Sequence, residues 1–257
     1  MKNLEAPPFY RLDERRIIAI PGNEQAALDF SVNFILNVAN ESIADHGFFS
    51  IALSGGSTPK KIYQLISGSP YSKSTDWSRF LIFFSDERSA PPTDPESNYK
   101  MAMDSGIGKL PIPKENIFRM VGEESIQENA QKYGESIKNK LGSKPFDLIM
   151  LGMGEDGHTA SLFPHTKGLK EDKLLVIANF VPQKETWRMS FTYQLINSAR
   201  NTCIYVLGQS KAEMVEKVLT SPYDPENYPI QKVGTVEHPA LWIMDEGASQ
   251  KILKHLK

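Results

Sequence analysis

Cysteine is almost absent from this chain. Cys203 is the only one in 257 residues, which excludes an intramolecular disulfide and any zinc site built on cysteine pairs. It lies in the apolar run Thr202–Leu207, the setting of a buried, inert thiol rather than a nucleophile. Excess charge is lacking as well. The formal net charge is -2, so no general basic field draws nucleic acid or an anionic membrane, and neither is expected as a partner. An acidic ligand must then be met by a few local cations. No window approaches the length of a membrane span, and the leading MKNLEAPPFYRLDERR has no apolar signal-peptide core, so a reducing cytoplasm is the expected location. Repeats, low-complexity tracts and long Pro/Gly linkers are also missing, and residues 1–257 read as one domain.

Short apolar runs alternate with helical periodicity. Strands are predicted at Ile17–Ile20, Phe49–Leu53, Phe80–Phe84, Phe146–Leu151, Leu174–Phe180, Thr202–Leu207 and Leu241–Met244. One helical stripe runs through Ala27, Phe30, Phe34 and Val38, another through Ile126, Ala130, Tyr133, Ile137 and Leu141. Ser210 and Glu213 have capping-box spacing and open a third helix. Continuously apolar strands interleaved with amphipathic helices predict a single-domain, three-layer α/β/α fold with a mostly parallel, Rossmann-like sheet. The irregular stretches Ser89–Ser97 and Thr220–Val236 read as ordered loops.

Four polar motifs each follow directly on a predicted strand: SGGSTP, SDER, GMGEDGH and GQSKA. If those strands are parallel, all four emerge on the carboxyl edge of one sheet, where open α/β sheets bind ligands. In the first, Gly55 and Gly56 allow a sharp turn and a close backbone approach. Thr58 suits an N-cap and Pro59 the first helical position, so free N–H groups, two hydroxyls and a positive helix end converge as an anion site. It is not a Walker loop, lacking the Gly-Lys-Ser/Thr ending, nor a serine-hydrolase elbow, lacking Gly-x-Ser-x-Gly.

Gly152, Gly154 and Gly157 fit Gly-x-Gly-x-x-Gly, but Pro164 leaves little room for the crossover helix a dinucleotide fold requires. What remains is Asp156 beside His158 in a glycine-rich turn: an imidazole able to act as a base near neutral pH, and a carboxylate to orient it. Asp156, His158 and His165 have no standard metal-ligand spacing, and no metal is expected. Lys211 falls in the first turn of the Ser210 helix, where a cation opposes the helix dipole unless it faces an anion. Arg88, after Asp86 and Glu87, and Arg188, in the strand-like ETWRMSFT, are further cations.

The motifs SGGSTP, SDERSAPPTDPESNY and GMGEDGHTASLFP, in this order, resemble the 6-phosphogluconolactonases, which belong with the glucosamine-6-phosphate deaminases in one α/β superfamily. The similarity runs from about Ile51 to the Leu241–Lys257 segment. Ala90 departs from the common Val after SDERS, and His165 from the usual small residue after Phe-Pro; Met189 and Ser190 flank Arg188 in a variable segment. The resemblance implies a cofactor-independent hydrolysis of a sugar-phosphate lactone by a monomer or small homo-oligomer. It implies His158 as base accompanied by Asp156, phosphate binding by Gly55, Gly56, Ser57 and Thr58, and a site completed by Asp86, Arg88, Asn98, Arg188 and Lys211. The deaminase branch carries a glutamate five residues after its motif histidine. Here that position is Phe163, which favours the lactonase.

Overall fold

Residues 9–256 are described by a computed structural model; residues 1–8 and Lys257 lie outside it. β1 (Phe9–Arg11) and β2 (Arg16–Ala19) lead into α1 (Glu24–His46). β3 (Phe49–Leu53) is followed by α2 (Ser57–Ile66), and β4 (Phe80–Phe84) by the short β5 (Asp86–Arg88) and α3 (Asn98–Asp104). α4 (Ile126–Leu141) precedes β6 (Leu148–Gly152), after which come β7 (Val176–Val181), β8 (Thr186–Phe191) and α5 (Tyr193–Asn197). The last elements are β9 (Thr202–Val206), α6 (Ala212–Thr220), β10 (Ala240–Met244) and α7 (Glu246–Ser249).

Seven strands form one sheet in the order β1-β2-β10-β9-β6-β3-β4. All its pairs are parallel except β1 with β2. Every residue of β3, β4, β9 and β10 is buried. Strands buried on both faces need cover on both, which is why they read as unbroken apolar runs instead of alternating ones. The mostly parallel α/β sheet expected from the sequence is present. Cys203 is fully buried in β9, and burial pushes its thiol up to about 12, so it is not a nucleophile at neutral pH.

Several local expectations need correction. Leu174–Phe180 is not part of the parallel sheet: β7 pairs with β8, and β8 with β5, in a separate antiparallel sheet of three. SDER is not a loop, because Asp86–Arg88 forms the edge strand of that small sheet. Of the expected α1 stripe Ala27 and Val38 are buried, together with Leu28, Val32, Ile35 and Ala39, while Phe30 and Phe34 are only half-buried; Phe30 packs with Phe34 and with Phe9. The Ser210–Glu213 capping box does not form; Gln209–Lys211 is a 3-10 turn and Lys211 itself precedes α6. The α4 stripe is buried as its spacing requires.

Candidate active site

Gly55 and Gly56 follow β3, β5 follows β4, and the Met153–His158 turn follows β6, so these motifs meet at the carboxyl edge of the parallel sheet. They wall a cavity of about 390 Å³, with β8 supplying the opposite side through Arg188. The first motif turns at Gly56, whose φ of 106° suits glycine and which caps α2, so Thr58 and Pro59 are the second and third helical residues instead of cap and first position. Gly55 is required for a different reason: a Cβ there would sit 2.1 Å from Asn98 Oδ1. Among the described residues neither the Gly55 nor the Gly56 N–H donates to a protein acceptor.

His158 is held on three sides. Its Nδ1 lies 2.5 Å from Asp156 Oδ1, which also accepts the His158 backbone N–H at 3.1 Å. Phe163 stacks on the imidazole with ring centroids 3.8 Å apart and planes 18° from parallel. Gly154 closes the third side, since a Cβ there would fall 2.0 Å from Nδ1. Burial by itself would raise the Asp156 carboxyl, but the hydrogen bonds and charge of His158 outweigh it and hold Asp156 below the usual carboxylate range. In the tautomer that donates Nδ1–H to Asp156, a neutral imidazole carries its lone pair on Nε2, and His158 lines the cavity.

Asp86 forms the polar floor. Its carboxylate accepts from Ser161 Oγ at 2.7 Å and from Asn98 Nδ2 at 3.1 Å, and Asn98 Nδ2 also bonds the Asp86 carbonyl. Behind it, buried Glu87 accepts from the N–H groups of Arg88, Asn98 and Tyr99 and from Ser97 Oγ. Burial nevertheless dominates and raises the Glu87 carboxyl.

The cations gather beside it. Arg88 is opposite Arg188 in the β5·β8 register. Arg88 donates to the Glu96 carbonyl at 2.6 Å and lies 3.7 Å from the Glu96 carboxylate, whereas Arg188 forms no ion pair among the described residues. The Nε atoms of both are shielded from water and have no partner. Burial and the neighbouring Arg88 charge both lower the Arg188 pKa from its ordinary value. Both guanidinium-bearing residues line the same cavity.

Of the sequence-derived site residues, Gly55, Gly56, Asp86, Arg88, His158 and Arg188 line the cavity. Asn98 supports it from beneath through Asp86 and Gly55, and Asp156 through His158. Ser57 is exposed and Thr58 half-buried, outside the wall. Lys211 is also outside it; its Nζ donates to the Met153 carbonyl at 3.2 Å, tethering the turn that carries His158. Sequence reasoning missed Ser161, Glu96 and Lys184. Ser161 sits three residues after His158 and could have been suspected, but nothing local marks Lys184 at the β7–β8 turn. Among the described residues no cluster of three or more His, Cys, Asp or Glu side chains could hold a metal ion.

The family described as glucosamine-6-phosphate isomerases/6-phosphogluconolactonase matches residues 22–242. The chain belongs to this family. A relative from Chlamydia pneumoniae named 6-phosphogluconolactonase is 44% identical over 207 residues, 80% of this chain and 79% of its own. Another of that name, from Chlamydia trachomatis, is 36% identical over 245 residues, 93% of this chain and 92% of its own. The solved structure of 6-phosphogluconolactonase from Trypanosoma cruzi superposes with a TM-score of 0.80 at 25% identity, covering 92% of this chain and 96% of that one. The span matched to the glucosamine-6-phosphate isomerase/6-phosphogluconolactonase family contains every residue of the cavity wall, from Ser54 to Arg188.

Proposed function

We propose that this chain is a cytoplasmic, single-domain 6-phosphogluconolactonase that hydrolyses 6-phospho-D-glucono-1,5-lactone to 6-phosphogluconate without a cofactor. The observation that carries the reading is one cavity holding the His158 imidazole and, beside it, Arg88 and Arg188, the latter without an ion pair among the described residues. The names of the relatives support the same activity, and no described helix is long and apolar enough to cross a membrane.

In this reading Arg88 and Arg188 hold the phosphate, and the free N–H groups of Gly55 and Gly56 offer further donors on the facing wall. The anchored phosphate fixes the lactone ring against His158, turning remote binding energy into orientation. Water attacks the lactone carbonyl carbon while His158 Nε2 takes its proton, and Asp156 stabilises the imidazolium. The tetrahedral intermediate then collapses by breaking the bond from that carbon to the ring oxygen. His158 returns the proton to the leaving oxygen, giving the open-chain acid. Asp86, fixed by Ser161 and Asn98, accepts from sugar hydroxyls.

Freshly prepared 6-phosphogluconolactone is the test substrate, with the spontaneous rate subtracted and glucosamine 6-phosphate run alongside. Rapid hydrolysis of the lactone without ammonia release from the amino sugar is expected. Ammonia release without lactone hydrolysis overturns the reading.

A further inference from the structure

We propose that Phe163 is a positioning residue for His158, its ring face fixing the imidazole plane and stabilising the protonated ring formed during turnover. This rests on His158 being the base.

The geometry asks for a face and not merely for bulk. Packing alone would be met by any aliphatic side chain of similar volume in any orientation. Instead the two rings lie 3.8 Å apart at 18°, a stacked arrangement that exposes the imidazole plane to the negative face of the phenyl ring. A neutral imidazole gains little from that face, but an imidazolium gains a cation–π contact, so the interaction strengthens as the proton arrives. Asp156 fixes one ring nitrogen and Gly154 leaves room for the ring edge, but neither sets the tilt about the Asp156 hydrogen bond. Phe163 does.

Phe163 is itself held. It is 5% exposed, and its carbonyl accepts from Thr166 Oγ1 at 2.7 Å. Thr166 Oγ1 accepts in turn from Asn179 Nδ2 at 3.0 Å. Asn179, buried in β7, also donates to the Ser161 carbonyl and accepts from the Gly168 N–H, so one amide staples the whole 161–168 loop. The other charged groups around His158 are Asp156, Glu155 and Lys211 on or against its own turn, and Asp86, Arg88, Glu96, Lys184 and Arg188 across the cavity. None of them changes when Phe163 is replaced, so a shift in pH dependence reports the ring.

The test compares Phe163→Leu, Phe163→Met and Phe163→Tyr on 6-phosphogluconolactone across pH, with the His158 Cε1 proton followed by NMR. Phe163→Leu should lose roughly two- to thirtyfold in kcat, the range of a cation–π contact, with KM moving less than about twofold. The midpoint of its kcat/KM profile should move to lower pH, and the Cε1 proton should move downfield as the ring current is lost. Phe163→Tyr should restore all three, and Phe163→Met should behave as Phe163→Leu, which guards against one variant that folds poorly. Normal kcat and midpoint in both ringless variants, or a loss carried wholly by KM, overturns the inference. His158→Gln separates the layers: if it turns over normally, the base assignment fails and this inference with it. If it is inactive while Phe163→Leu is normal, only the present inference fails.

Discussion

Arg88 and Arg188 occupy directly opposed positions on the antiparallel strands β5 and β8. Like charges so placed are destabilising unless an anion lies between them. Only Arg88 lies within 4 Å of a carboxylate, that of the exposed Glu96; Asp86, Glu87 and Glu96 act on Arg188 from farther away. A fold that keeps this repulsion while leaving Arg188 without an ion pair supports the phosphate site proposed above.

Arg188→Gln should therefore raise KM for the phosphorylated lactone by roughly 10- to 150-fold, the equivalent of one charge-assisted contact of about 1.5–3 kcal/mol. KM for unphosphorylated gluconolactone should change far less, and the melting temperature should not fall, since a repulsion is relieved. Equal losses on the two substrates would remove the arginine pair from phosphate recognition.

The place of Lys211 at the head of a helix on the ligand-binding edge predicts a phosphate contact, and its Nζ donates one hydrogen bond to the Met153 carbonyl, which leaves two further donors. Lys211→Ala should lower kcat by loosening the His158 turn, with similar effects on phosphorylated and bare lactone. A KM effect confined to the phosphorylated substrate would return Lys211 to the anion site.

The parallel sheet was legible because strands buried on both faces leave long apolar signatures, as FLIFF and ALWIM do. The small antiparallel sheet was not, because β5 is three charged residues whose ladder partner is Met189, about a hundred positions away. The Arg88–Arg188 pairing is a property of that ladder, so local sequence marked each arginine only as a further cation. The contact of His158 with Asp156 was legible because the two residues lie two positions apart in one turn. Ser161 bonds Asp86, a partner 75 residues distant, and Lys184 reaches the cavity only through the β7–β8 turn. Local sequence marks neither contact.

Glu87 offers a stability test. Four donors converge on its carboxylate, two on each oxygen, and a glutamine amide nitrogen would point its own donors at one of those pairs. Glu87→Gln should destabilise by roughly 1–3 kcal/mol, read from chemical denaturation. Because burial raises this carboxyl, its charge opposes folding above the ordinary value of 4.5. That opposition fades as pH falls through the raised folded value and is gone below 4.5, so the wild-type deficit from this group should shrink in acid. A variant as stable as wild type would show the four hydrogen bonds to be worth no more than the charge costs.

The pH dependence of turnover tests the His158–Asp156 pair most directly. A general base works only when neutral, so the catalysed rate should rise through one ionisation and then level, after subtraction of the spontaneous rate at each pH. His158→Ala or His158→Gln should lose roughly 10²–10⁴-fold in turnover while still binding 6-phosphogluconate, because the arginines are untouched. Asp156→Asn should cost less, since it keeps a hydrogen-bond acceptor for Nδ1, but it removes the negative charge that favours imidazolium. Its rate profile should shift to lower pH. Stability carries the reciprocal sign. The Asp156 carboxyl is lowered on folding, so its contribution is present above its ordinary value of 3.8 and is lost as pH falls through the lower folded value. Asp156→Asn should abolish that portion of acid sensitivity. A profile unchanged in Asp156→Asn, together with near-normal turnover in His158→Ala, would mean that the proton goes elsewhere.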